Sequence, residues 1–78
     1  MGDTAQADTP KPIWVNEQID PCGILYACIA TTSERQARLC HETFQSNLTE
    51  AEKSAGWLAT IRTVDHWDDV PVIALKLS

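Results

Sequence analysis

Apolar residues fall along the chain in bursts, and the spacing within each burst predicts an element. Residues 1–11 hold no large apolar side chain after Met1, so they offer nothing to dock on a core and are expected to form a flexible tail. One folded domain is expected over 12–78. Ile13-Trp14-Val15 is a short run of strand formers and reads as a first strand. Asp20-Pro21-Cys22-Gly23 is turn chemistry, proline presetting one dihedral and glycine permitting the reverse bend. Ile24 to Thr32 carries apolar residues at both alternating sets of positions, the pattern of an interior strand covered on both sides.

The period then changes to that of a helix. Ala37, Cys40 and Phe44 form one apolar stripe, and Glu34, Arg38 and Glu42 follow one another at intervals of four on a charged face. Ser33-x-x-Gln36 and Thr31-x-x-Glu34 offer two capping registers, placing the main helix at about 33–46. Thr49-x-x-Glu52 is a further capping box and starts a short second helix near Glu50. Continued past Gly56, that helix would align Ala51, Ala55 and Leu58 but place Arg62 in mid-stripe, with glycine costing about 1 kcal/mol in its interior. Ending it at Ala55, with Gly56 as the cap, frees Trp57 to Val64 for a strand rich in β-branched residues, and this is the preferred division. A polar loop over Asp65–Asp69 precedes a closing strand over Val70–Leu77, whose Pro71 suits a first position or an edge. The order implies a small α+β two-layer sandwich. Its mostly antiparallel sheet of three to four strands carries the main helix and the short second helix on one face.

Composition narrows the function. In 78 residues there are 11 acids against 6 lysines and arginines, a net charge of −5, which argues against a sequence-independent grip on nucleic-acid phosphates. No apolar run is long enough to span a bilayer, and no secretory leader is evident. With an odd count of three cysteines, a reducing, cytoplasmic setting and free thiols are expected, a Cys22–Cys28 bridge being the competing arrangement.

Candidate chemistry is sparse. Cys22, Cys28, Cys40, His41 and His66 are the conceivable zinc ligands, but none of them forms the close pairs of structural zinc sites, so no metal or other cofactor is expected. Cys40, His66 and Asp68 could be drawn as a nucleophile, base and orienting acid, yet nothing in the spacing joins them, and a thiol on an apolar stripe stays protonated. Glu50 and Glu52 suit a helix's first turn without any further role. Trp14 and Trp57, flanked by apolar residues, are expected in the core. The unusual segment is Asp65-His66-Trp67-Asp68-Asp69, an aromatic residue ringed by acids, which has the make-up of a contact surface for a basic partner.

The expectation is therefore a small acidic, non-enzymatic binding protein that acts stoichiometrically on a larger macromolecule with a basic surface, through Asp65, His66, Trp67, Asp68 and Asp69. Short acidic chains of this composition occur among phage and mobile-element inhibitors of nucleic-acid-handling complexes, and an inhibitor or accessory role of that type is expected, with no direct contact to nucleic acid or membrane. The alternative is an assembly subunit that homodimerises through its last strand, with Val72, Ala74 and Lys76 on the pairing edge.

Overall fold

The computed structural model describes residues 11–77, so the expected tail lies, except for Lys11, outside the described residues. The elements are β1 (Ile13–Ile19), β2 (Leu25–Thr31), α1 (Glu34–Ser46), α2 (Glu50–Ala55), β3 (Leu58–Val64), a single 3-10 turn over Trp67–Asp69, and β4 (Leu75–Leu77). They build the expected α+β fold, with a four-stranded sheet in the order β3-β1-β2-β4. β1 pairs antiparallel with both β2 and β3, while β4 lies parallel to β2. Two crossovers follow from this order. From β2 to β3 the chain passes over one face through α1 and α2; from β3 to β4 it returns in the opposite direction, with Val70 packed on the other face. Opposite directions on opposite faces give both crossovers the same hand.

Local chemistry sets the helix limits. The Ser33 side chain accepts from the Gln36 N–H, so Ser33 is the N-cap of α1. The Gln36 side chain does not close the box on Ser33. Its Oε1 accepts from Thr31 Oγ1 at 2.9 Å, and that hydroxyl in turn accepts from the Ser33 N–H, so Thr31, Ser33 and Gln36 share one network, while Glu34 of the second register pairs with Arg38 instead. Thr49 and Glu52 form a complete capping box at α2. Gly56 ends α2 at φ +112°, with the Gly56 N–H donating to Lys53 O and the Trp57 N–H to Glu52 O, a Schellman closure that a residue with a side chain would strain. This stop is what releases β3 from the helix.

Two strand limits differ from expectation. β1 runs four residues beyond Val15, to Ile19, and Asn16, Glu17 and Gln18 within it are all buried. Three consecutive polar residues read as a strand end, but alternation divides them between the two faces, where each finds a partner. β4 is confined to Leu75–Leu77 rather than running from Val70. Val70 instead docks on the sheet, and Pro71 to Ala74 form a turn closed by the Ala74 N–H donating to Pro71 O.

The interior is divided by the sheet. Register places Trp14, Asn16 and Gln18 of β1 on the helix-covered face and Ile13, Val15 and Glu17 on the other. On the first face Ala37 and Phe44 of α1 and the following Leu48 are buried. Asn16 Nδ2 donates to Ala37 O at 2.9 Å, and Gln18 Nε2 donates to Phe44 O at 3.1 Å, in the last turn, where helix carbonyls lack successive amides. The second face holds an apolar cluster of Ile13, Val15, Cys28, Ala30 and Val70, edged by Leu25, Val64 and Ala74. Cys40, expected on the buried stripe, is only half-buried, and His41 shares the inward side of α1 with Ala37 and Phe44, its Nδ1 buried without a partner.

Candidate functional site

The face opposite α1 and α2 combines the charged centre of the sheet with the segment expected to bind a partner. Glu17 reaches it from β1 and meets Arg62 from β3, with Arg62 Nε donating to Oε1 at 3.0 Å and Nη2 to Oε2 at 3.3 Å. Glu17 is directly opposite Cys28 in the register. Burial is the main cause that pushes the Cys28 thiol above its ordinary value, and the Glu17 carboxylate adds to it. Cys28 thus packs as a core side chain whose ionisation burial disfavours. The Arg62 guanidinium is pushed further up, chiefly by its hydrogen bond to Glu17, with a smaller contribution from Asp69. Asp69 is thus the loop acid that adds, as the smallest of these contributions, to the charge holding Arg62.

The rest of the loop faces solvent. Asp65, His66 and Asp68 are exposed. The 3-10 turn is closed by the Asp69 N–H donating to His66 O and the Val70 N–H to Trp67 O. Trp67 keeps 39% of its surface exposed, and the Lys76 ammonium lies 5.8 Å from its ring centroid, within cation–π range. The indole is therefore partly folded back and partly presented. The other two tryptophans are half-buried: Trp14 lies under the Arg38 guanidinium at 5.3 Å, and Trp57 meets Tyr26 edge-on at 5.2 Å across the end of β1, where a bulge at Tyr26 shifts the β1–β2 register.

The stretch after the loop contains what the sequence did not signal. Val72 is 96% exposed, and Ile73 and Leu75 are each 60% exposed. Alternation along an assumed strand hid this, because the Pro71–Ala74 turn lifts Val72 and Ile73 away from the sheet. The segment 65–75 thus presents exposed acids and exposed aliphatic side chains within one short run of chain.

The residues proposed for the dimer edge separate. Val72 lies in the turn, Ala74 is half-buried against the apolar cluster, and Lys76 alone lies in β4. Cys40 sits on α1, while His66 and Asp68 belong to the crossover on the other face, so the drawn triad is not assembled. All three cysteines are free, Cys22 at the exposed β1–β2 turn. Among the described residues no group of three or more His, Cys, Asp or Glu is placed to hold a metal ion, and no helix is long and apolar enough to cross a membrane.

Compared with protein-family models, with curated proteins and with solved structures, the chain matches none.

Proposed function

We propose that the protein is a non-enzymatic binding protein that covers a basic surface of a larger macromolecule, as an inhibitor or accessory factor, and that segment 65–75 makes the contact. The carrying observation is the exposure of Val72, Ile73 and Leu75 immediately after Asp65 and Asp68. Exposed aliphatic groups beside exposed acids have the composition of an interface, in which apolar anchors supply affinity and rim charges select and steer the partner. Aliphatic side chains so exposed gain nothing for the fold of the isolated chain, and burying them against a partner removes their surface from water. Among the described residues Asp65 and Asp68 form no ion pair that would neutralise them toward a basic partner. Trp67 adds apolar area through the part of its ring left open beside Lys76.

The test compares affinity capture from a lysate of the source cells by three proteins. These are the wild type, the double variant Val72→Asp/Ile73→Asp, and the control Leu39→Asp, which alters an exposed leucine on α1. A partner retained by the wild type and by the control, lost from the double variant, and released as salt rises supports the assignment. Equal retention by all three, or no retained partner, contradicts it.

A further inference from the structure

The two edges of the sheet are protected unequally. β4 is three residues long, contains Lys76 and follows Pro71, all features that discourage pairing with another chain. β3 is the other edge. It runs for seven residues, Leu-Ala-Thr-Ile-Arg-Thr-Val, in unbroken register with β1 and with no proline, lysine or bulge. Its single charge, Arg62, is already paired with Glu17 of its own sheet.

We infer that β3 is the interface of a homodimer, in which two copies pair antiparallel about a twofold axis through Ile61 and join their sheets into one. This goes beyond the binding surface at 65–75, with which it shares only Asp65. The sequence of β3 is self-complementary in that register. Leu58 faces Val64 of the second copy, Ala59 faces Thr63, Thr60 faces Arg62, and Ile61 meets its own equivalent on the axis. All seven residues pair, with apolar opposite apolar at the ends and the centre. Centring the axis on Arg62 would oppose two guanidinium groups, and centring it on Thr60 would set Leu58 against Arg62, so one register is favoured. Leu58, 54% exposed in the single chain, gains a neighbour in Val64, which packs on the apolar cluster.

Charge complementarity extends the pairing by one residue. Asp65 of the second copy falls opposite Trp57, at a groove of about 320 Å³ that Trp57 and Leu58 line together with Gln45, Leu48 and Lys53. Among the described residues the only acid paired with Lys53 is Glu50, loosely, at 3.8 Å, so its ammonium is placed to receive Asp65. The symmetry makes this contact twice. A second copy is the fitting occupant because the edge matches itself in register, polarity and charge, and because a chain this small gains from a shared sheet what its limited core does not supply.

Sedimentation equilibrium of the purified chain, from about 10 μM to about 1 mM, tests this. The expected mass rises with concentration from 8.6 kDa to twice that value. Ile61→Lys places two ammonium groups on the axis and should leave a folded monomer across the whole range. Because Ile61 is half-buried, the charge pair provides the decisive set if that variant does not fold. Lys53→Glu should weaken dimerisation about tenfold, and adding Asp65→Lys to it should restore the wild-type constant. A wild-type mass of 8.6 kDa at every concentration overturns the inference. So does a dimer that persists in folded Ile61→Lys, or a dimer constant indifferent to Lys53→Glu.

Discussion

Removing Arg62 should destabilise the protein more than neutralising the acid it pairs with. The Glu17 side chain is only 11% exposed, on the central strand, whereas the Arg62 side chain is 46% exposed on an edge strand. Arg62→Met keeps most of the aliphatic stem but leaves a carboxylate in a nearly dry site without its two donors. Breaking a fully buried pair in this way costs about 3–5 kcal/mol, and partial access of water on the arginine side lowers the expectation to about 2–3 kcal/mol. Glu17→Gln leaves a guanidinium that can turn to solvent, and the amide oxygen still accepts one hydrogen bond, so about 1 kcal/mol is expected. A chain of this length has about 4–12 kcal/mol in total, so the two losses are distinguishable as shifts of the urea midpoint at constant m, followed by tryptophan fluorescence. The double variant Glu17→Gln/Arg62→Met should be more stable than the sum of the single losses allows, by about 1–2 kcal/mol. Equal single losses, or additive ones, would refute the view that burial of Glu17 controls the energetics of this pair.

Four further outcomes follow from the packing. Phe44→Ala should cost about 3–5 kcal/mol in urea unfolding, since Phe44 is the one large ring buried between α1 and the sheet. Gly56→Ala should cost about 1 kcal/mol by the same measurement, because its φ of +112° strains any side chain although the nearest atom of Pro21 leaves room at 3.5 Å. Cys28, whose folded value is raised, contributes stability that is fully present below the thiol's ordinary value of about 8.5 and lost as pH rises through the folded value, so the alkaline fall in melting temperature should be shallower in Cys28→Ala. Thiol labelling of the native protein should be fast at Cys22 and slow at Cys28.

How far the sequence foretold the fold depended on where each residue's partner lies. α1, α2 and β3 were legible because Ser33, Thr49 and Gly56 act within a few residues of themselves, as caps. β2 was legible from its unbroken apolar run. The second half of β1 was not. Asn16, Gln18 and Glu17 are buried by partners 21, 26 and 45 residues away, a distance at which periodicity carries no signal. β4 was overextended because Val70-Pro71-Val72-Ile73 has strand composition, while its backbone docks one residue and turns two others outward. In the candidate site, the exposed acids at 65 and 68 could be anticipated from composition. The electrostatic tie of Asp69 to Arg62 and the outward turn at Val72–Ile73 could not, since both depend on the crossover lying against the sheet face.

That tie shapes the most direct test of the binding surface. Asp69 adds to the charge that holds Arg62, and Asp65 makes the inferred contact with Lys53 of a second copy, so replacing either would mix other effects with recognition; Asp68 is the clean position. Surface-plasmon kinetics of the captured partner against wild type and Asp68→Lys, at several salt concentrations, isolates steering from structure. Association with the variant should be slower, by about tenfold at low ionic strength, with a flatter salt dependence, and dissociation should change little. An association rate and salt slope identical to wild type would show that Asp68 does not face the partner, and would contradict the assignment of segment 65–75 as the binding surface.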